Sequence, residues 1–216
     1  MTSHTPLALV GIHTDIGKTI TGAVLTQALG CDYWKPVQAG GLSHTDSDVL
    51  RECVSNPRSR IYPEAFRLTT AASPHVAARL DNINIHIADV QPPSSDCLLI
   101  ETAGGVMSPM TSTETVADVV AHNSWACMLV VQHYLGSISH TLSAVTALRS
   151  RGITPLGLII NGERQPDSEQ FICDYTELPI LAHIPHFEQL TPHFIAQAAQ
   201  QLRLQLPAAF SPWMRP

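Results

Sequence analysis

The segment Gly11–Thr19 combines residue types that bind polyphosphate. It reads Gly-Ile-His-Thr-Asp-Ile-Gly-Lys-Thr and directly follows the apolar run Leu7–Val10. A strand that feeds a glycine-containing turn and then a helix offers backbone N–H groups to phosphate oxygens, while the lysine supplies a cation and the threonine a hydroxyl for magnesium. Five residues separate Gly11 from Gly17, whereas the usual loop has four. By spacing alone a chance loop is therefore an open alternative.

Further polar residues lie where other apolar runs end. Lys35, Glu101 and Asn161 each follow such a run, and Asp48 follows Lys35 after a glycine-containing loop. If the runs are parallel strands, these residues meet at one edge of the sheet, where ligands of such folds bind. Taken singly, Asp48 could instead cap a helix, Glu101 could be a solvated strand end and Asn161 could form a turn.

The types of these side chains indicate phosphate chemistry with a metal ion. Lys18 is expected to hold the outer phosphates as a point charge, and the hydroxyl of Thr19 is expected to ligate magnesium. Asp48 or Glu101 can complete the oxygen shell that magnesium requires.

Apolar runs alternate with helix-like segments along the chain. The predicted strands are 7–10, 32–37, 97–100, 126–131, 156–161 and 180–184, and Pro36 places the second of them at an edge or a strand end. The predicted helices begin at Lys18 and cover parts of 45–50, 71–80, 113–120, 136–149 and 194–206. This alternation predicts an α/β fold of the P-loop NTPase-like, doubly wound type, with a mostly parallel sheet and helices on both faces.

Composition limits the class of protein. The 216 residues suit one domain, which we place at 1–206, with a loose or extended tail at 207–216 in which Phe210 and Trp213 could still dock. A net charge of -6 with only 12 Lys and Arg argues against nucleic acid as a partner. No apolar run is long enough for a membrane span and the N-terminus lacks the features of a secretory signal, so we expect a cytoplasmic location. The five cysteines occur singly, which favours reduced core residues over a zinc site or disulfides.

At these motifs the sequence resembles the dethiobiotin synthetase family over residues 7 to about 187. The resemblance rests on the Gly11–Thr19 loop with its extra residue and on six further motifs: Trp34–Gly40, Ser73-Pro74-His75, Glu101–Gly105, Leu135–His140, Asn161 and Ile184-Pro185. It implies an ATP- and Mg²⁺-dependent ligase that carboxylates 7,8-diaminopelargonate with CO2 and closes the ring to give dethiobiotin, ADP and phosphate. The implied intermediates are an N-carbamate and a carbamic-phosphoric anhydride, and the implied assembly is a homodimer with active sites at its interface.

The resemblance also assigns residues to roles. Lys18 and Lys35 are the implied catalytic residues, and the implied metal ligands are Thr19, Asp48 and Glu101. The implied nucleotide-binding residues are Asp15, Ile16, Gly17, Lys18, Thr19, Ile20, Asn161 and Pro185. The implied substrate-binding residues are Thr14, Lys35, Ala39, Ser73, Gly104, Gly136 and Ser137, and the 136–140 loop is expected to receive the substrate carboxylate from the second subunit.

The chain departs from the family pattern at four places, one of them Asp15, which keeps the acid expected there with a shorter side chain. Ala39 lies near a position where a serine is expected, His13 replaces an acid, and residues 80–96 are too short and proline-rich for the usual long helix, so one crossover is expected to be abbreviated. The base preference of the nucleotide site is left open, because Asn161 can bond to more than one base edge.

Three alternatives accompany this interpretation. The main one is a nucleotide-dependent switch of the partitioning type, although such proteins carry a lysine where this chain has Ile12. A cobyrinate-type ligase would require an additional glutaminase domain. A non-catalytic nucleotide binder is disfavoured by the presence of Lys18, Lys35 and Glu101.

Overall fold

The computed structural model describes residues 5–187, 190–205 and 208–215. In these residues a six-stranded sheet contains β1 (Leu7–Gly11), β2 (Asp32–Trp34), β5 (Leu98–Gly105), β6 (Ala126–Val131), β7 (Leu158–Asn161) and β8 (Ile180–Ile184). A separate pair is formed by β3 (Val37–Ala39) and β4 (Phe66–Leu68). The helices are α1 (Lys18–Leu29), α2 (Asp46–Cys53), α3 (Pro74–Leu80), α4 (Val116–His122), α5 (Ser137–Arg149), α6 (Pro166–Thr176) and α7 (Pro192–Gln205).

The main sheet is parallel and has the order β2-β5-β1-β6-β7-β8. Every residue of β1 is buried, as are the apolar residues of β6 from Cys127 to Val131. Continuous apolar runs of this kind occur where helices cover both faces of a sheet. The central position of β1 places the segment that follows it between the carboxyl ends of β5 and β6.

The helices cover the two faces in separate groups. Helix α1 packs against α2 and α7, and α5 packs against α6. The chain moves from β1 outward to β2 in one direction and from β6 to β7 and β8 in the other, and right-handed crossovers in opposite directions place helices on opposite faces. The predicted α/β doubly wound architecture is confirmed, and β2 lies at the edge that Pro36 indicated.

Several elements differ from the sequence-based expectation. Helix α6 and the β3–β4 pair were not predicted, and β5 continues through Glu101 to Gly105 where an end at Ile100 was expected. Between α3 and β5 the regular structure is a short 3-10 helix at Ile87–Asp89, so this crossover is indeed abbreviated.

Helix α6 is anchored by a buried carboxylate. Glu169 is only 3% exposed and accepts hydrogen bonds from the Arg164 side chain at 2.9 Å and from the backbone N–H of Gln165 at 3.0 Å. Burial raises the pKa of Glu169, but these donors outweigh it and hold the pKa at about 2. The carboxylate is therefore ionised and ties the β7–α6 connection to its helix.

The described part of the C-terminal segment is docked, which differs from the loose tail expected at 207–216. Ala208–Trp213 forms a 3-10 helix, and the side chains of Phe210 and Trp213 are buried. The indole N–H of Trp213 donates to the carbonyl of Thr5 at 2.8 Å, and Arg215 forms an ion pair with Asp32 at 2.9 Å. Apolar burial and a charged pair on β2 thus hold this segment against the sheet.

Within the described ranges, none of the helices has both the length and the apolar character needed to cross a membrane.

Candidate active site

The loop between β1 and α1 has the geometry of a phosphate-binding loop. Gly17 is the N-cap of α1 with a φ of 79°, a left-handed conformation that favours glycine. A side chain at Gly17 would also collide with the amide group of Asn161. That amide donates to the carbonyl of Ile16 at 3.0 Å, so the end of β7 fixes the loop directly. The loop conformation therefore depends on a residue far away in the sequence.

Lys18 begins α1 and its side chain is turned back under the loop. Its Nζ donates to the carbonyl of His13 at 3.3 Å, and the residue is 7% exposed. Burial lowers the pKa of Lys18, while the charge of Glu101 opposes this shift. The ammonium group is thus held in a low-dielectric position where an incoming phosphate would meet little competition from water.

Glu101 lies at the centre of the site and is 1% exposed. Its Oε1 accepts from the Thr19 hydroxyl at 2.9 Å and from Lys35 Nζ at 3.2 Å. Its Oε2 accepts from the Tyr33 hydroxyl at 2.7 Å. Burial and the charge of Glu101 raise the pKa of Tyr33 well above its usual value, so the phenol stays a hydrogen-bond donor. The carboxylate is thereby held in one orientation by three donors from α1, β2 and the residue after β2.

Lys35 connects Glu101 to a second acid, Asp46. Its Nζ contacts the Asp46 carboxylate, which lies at the first position of α2. Asp48 is placed elsewhere: its carboxylate accepts from the backbone N–H and the hydroxyl of Thr45, each at 2.9 Å, and from Arg51 at 2.6 Å. The bonds from Thr45 are the main cause that lowers the pKa of Asp48 to about 2. The structure therefore brings Asp46 into the site in the position expected for Asp48, which caps its own helix.

These residues line one cavity of about 340 Å³. Its lining comprises Thr14, Asp15, Gly17, Lys18, Thr19, Ile20, Lys35, Asp46, Glu101 and Gly104. Nine of the ten residues were singled out from the sequence, and Asp46 was not. A single cavity thus joins a phosphate loop to a lysine between two carboxylates, a combination suited to phosphate transfer onto an anionic acceptor.

Known proteins match this chain over most of its length. The family described as an AAA domain matches residues 5–193. The ATP-dependent dethiobiotin synthetase BioD of Cytophaga hutchinsonii is 41% identical over 196 residues, which cover 90% of this chain and 95% of that protein. The protein of the same name from Rhodopseudomonas palustris is 40% identical over 209 residues, covering 95% of this chain and 94% of its own.

The chain belongs to the dethiobiotin synthetase family.

Solved structures of other proteins share the fold of this synthetase. A plasmid partition protein from Borrelia burgdorferi aligns with a TM-score of 0.56 at 10% identity, covering 94% of this chain and 99% of that one. The septum site-determining protein MinD of Pyrococcus horikoshii, solved with Mg-ADP, aligns with a TM-score of 0.51 at 17% identity, covering 92% and 95%. At such low identity the likeness is one of fold alone. It does not favour the partitioning alternative over the synthetase, whose sequence relatives match at about 40% identity.

Other residues expected in the synthetase site lie outside this cavity. Pro185 lines a different cavity beside the start of α7, together with Phe187 and Phe194. Gly136 and Ser137 line a groove at the start of α5 with the fully exposed Leu135.

Ala39 ends β3, and the Ser73 hydroxyl lies 3.0 Å from Nδ1 of His75 before α3. The backbone just after Ala39 lies close to the backbone just before Ser73, as shown by the collision that a Cβ at Gly40 would make with Ala71. Neither Ala39 nor Ser73 lines the phosphate cavity of the single chain.

The oxygen donors of the cavity fit a magnesium ion. Thr19, Asp46 and Glu101 offer a hydroxyl and two carboxylates, the hard ligands that this ion prefers. Within the described residues, no group of three or more His, Cys, Asp or Glu side chains could hold a metal by itself. In enzymes of phosphate transfer, magnesium is bound by one or two carboxylates together with substrate phosphates. Asp46 and Glu101 provide two such carboxylates.

Sequence reasoning missed Asp46 and Tyr33. A signal for Asp46 was present: Thr45 with an acid three residues later is a capping box, so Asp48 was already committed to its helix. Tyr33 gave no such signal, because an aromatic residue before Lys35 is equally typical of a strand core.

Proposed function

We propose that this enzyme catalyses the ATP- and Mg²⁺-dependent carboxylation of 7,8-diaminopelargonate and closes the ureido ring to give dethiobiotin, ADP and phosphate. The observation that supports this most is the position of Lys35. Its ammonium lies in the phosphate-loop cavity between Glu101 and Asp46, so a cation other than the loop lysine faces the place where a γ-phosphate would lie.

The proposed reaction has three steps. One amine of the substrate adds to CO2 and loses a proton, which forms a carbamate. A carbamate oxygen attacks the γ-phosphorus, the bond from that phosphorus to the β-phosphate oxygen breaks, and ADP leaves. The second amine attacks the carbonyl carbon of the resulting mixed anhydride, expels phosphate and loses a proton as the ring closes.

The difficulty of the second step is electrostatic, because a carbamate and a triphosphate are both anions. We assign Lys18 to the outer phosphates and Lys35 to the carbamate and the transferring phosphoryl group. Such charges are effective because the protein holds them in place before the reaction, and removing one commonly costs a factor of about 10² to 10³ in rate. Lys18 and Lys35 are only 7% and 8% exposed, so water screens their charges little.

Thr19, Glu101 and Asp46 would hold the magnesium ion, with Asp46 in the role that the sequence alone assigned to Asp48. The ion would supply positive charge to the β- and γ-phosphates when it is bound. Tyr33 orients Glu101 through its Oε2, and Lys35 and the hydroxyl of Thr19 both donate to its Oε1.

We assign Thr14 and Gly104 to the diamine end of the substrate, because both line the cavity beside Lys35. Ala39 and Ser73 are proposed to contact substrate from the β3 side. Gly136 and Ser137 are proposed to receive the substrate carboxylate of a second subunit, since they begin α5 beside an exposed groove and the N-terminus of a helix attracts anions.

For the nucleotide base we propose Asn161 and Pro185, which end β7 and follow β8 at the same edge of the sheet. We further propose a homodimer and a cytoplasmic location. The free state of all five cysteines agrees with a reducing compartment.

A coupled assay tests the proposal directly. Purified enzyme with MgATP should release ADP only when the diamine and bicarbonate are both present, and dethiobiotin should form in equal amount. Rapid ATP hydrolysis without the diamine, or the absence of a ring-closed product by mass spectrometry, would refute it. Repeating the assay with each nucleoside triphosphate determines the base preference.

A further inference from the structure

Glu169 of α6 contacts more than its own helix. Its Oε1 lies 3.3 Å from Nε2 of His133, which follows β6, and its Oε2 lies 3.3 Å from Nε2 of His183 in β8. Arg164 and the backbone N–H of Gln165, which lie between β7 and α6, donate to the same carboxylate. One buried acid therefore joins α6 to three segments at the carboxyl edge of the sheet.

The side chain of His133 is buried at 1% exposure, although it belongs to a connection and not to a strand or helix. Within the part of the chain that the structure describes, neither of its ring nitrogens has a well-aligned hydrogen-bond partner. A buried polar ring is costly unless another group compensates it, so the contact with the Glu169 carboxylate is the interaction that favours this position. Because Arg164 also pairs with Glu169, the carboxylate is balanced by a cation and would repel a nearby substrate anion little.

The groove at the start of α5 has walls from two elements, and each wall is connected to this contact. One wall consists of residues within 134–142, directly after His133, and the other consists of Gln165 and Ser168. Gln165 donates its backbone N–H to Glu169 at 3.0 Å, and Ser168 precedes Glu169 in α6. The contact between His133 and Glu169 therefore ties the two walls together.

We propose that Glu169 and His133 are positioning residues that set the width of the groove in which the substrate carboxylate of the second subunit is held. This inference rests on the proposed function, because it takes Gly136 and Ser137 as the site for that carboxylate. A substrate group is bound and aligned well only where the protein fixes the groups that receive it. Loosening the groove in one subunit should therefore weaken diamine binding in the active site of the other.

Steady-state kinetics of the full-length enzyme test the proposal. We expect His133→Ala to raise the KM for the diamine about 3- to 10-fold, the scale of one polar contact, while kcat and the KM for ATP change less than about 2-fold. His133→Gln can place an amide near Oε1 of Glu169 and should restore most of the lost kcat/KM. The matched control is His183→Ala, which removes a contact of the same length from the same carboxylate. His183 lies in β8 and does not line the groove, so its loss should leave the KM for the diamine unchanged.

A substrate analogue separates positioning of the groove from a general structural effect. In this analogue a methyl group replaces the carboxylate of the diamine, so the analogue does not use the groove. His133→Ala should convert the analogue with the kcat/KM of the wild type. An equal loss of kcat/KM for the diamine and the analogue, or an unchanged KM for the diamine, would overturn the positioning role.

Mixed dimers, purified with a different affinity tag on each subunit, show which active site the groove serves. One subunit carries His133→Ala and the other carries Lys35→Ala. If each groove serves the partner's active site, one site of the symmetric pair is free of both changes, and kcat/KM for the diamine should be about half that of the wild type. A value at the mean of the two parent variants, or a monomeric enzyme, would overturn the proposal while leaving the synthetase activity in place. Wild-type enzyme that forms no dethiobiotin would instead overturn the proposed function.

Discussion

Asp46 and Asp48 are two residues apart, and the structure gives them different tasks. Asp46 contacts Lys35 in the cavity, whereas Asp48 closes the capping box of α2 and pairs with Arg51. Replacing each by asparagine removes one negative charge with almost no change in volume. The pair is therefore a matched test of which acid serves the magnesium site.

The size of the expected effect follows from the charge that is lost. Two unit charges about 4 Å apart at an effective dielectric constant of about 20 interact by roughly 4 kcal/mol. The Asp46 side chain is 30% exposed, so water screens part of this interaction. We therefore expect roughly 3 kcal/mol for Asp46→Asn, or about a hundredfold loss in kcat/KM.

The assay is steady-state formation of dethiobiotin at a series of Mg²⁺ concentrations. Asp46→Asn should need at least about tenfold more Mg²⁺ for half-maximal rate, the scale of a weakened metal site. Asp48→Asn should keep the Mg²⁺ requirement of the wild type and show only lower thermal stability, because its carboxylate serves the helix cap. An Asp48→Asn enzyme with a raised Mg²⁺ requirement, beside a normal Asp46→Asn enzyme, would refute this assignment.

Three other predictions concern the site and the fold. Lys35→Ala should lower turnover by at least about a hundredfold with the Kd for ATP little changed, since its charge acts on the reacting groups; a wild-type rate would show that it is misassigned. Gly17→Ala should weaken binding of a non-hydrolysable ATP analogue by at least about tenfold more than Gly162→Ala, measured by calorimetry. Both glycines have positive φ, at 79° and 92°, but only at Gly17 would a Cβ collide with Asn161, so equal affinities would contradict this account. Glu169 has its pKa lowered from 4.5 to about 2, so its stabilisation is complete above pH 4.5 and is lost as the pH falls toward 2. The advantage of wild type over Glu169→Gln in unfolding free energy should therefore shrink by roughly 2 kcal/mol between pH 6 and pH 3, measured by denaturant titration, and a constant difference would contradict it.

The phosphate loop and the fold class could be inferred from the sequence because their causes are local. Leu7–Val10 is apolar throughout, as a strand covered on both faces must be, and Gly17 precedes Lys18 where a helix has to begin. The lysine after β2 and Glu101 in the fifth strand are recognisable for the same reason, since each directly follows a buried run.

Elements without a strong local pattern were missed. Helix α6 mixes charged and aromatic residues, with Phe171 and Tyr175 exposed, so its pattern of apolar residues is weak. The docking of Trp213 against Thr5 could not be inferred from a proline-bearing tail. This docking is stabilised by contacts with the N-terminal end of the chain, and no short stretch of sequence contains both partners.

The choice between Asp46 and Asp48 separates what the sequence determined from what the tertiary structure decided. The sequence determined that an acid near the start of α2 would face the phosphate loop, because the connection from β2 returns to the carboxyl edge of the sheet. Which acid does so depends on the direction of each side chain. Asp48, the third residue of α2, turns back to the cap of its helix. Asp46, the first residue, contacts Lys35, and Lys35 also contacts Glu101, which lies in a strand more than 50 residues later in the sequence. Only the packing of α2 against α1 and α7 brings those three charges together, and that packing is set by long-range contacts rather than by the spacing of residues along the chain.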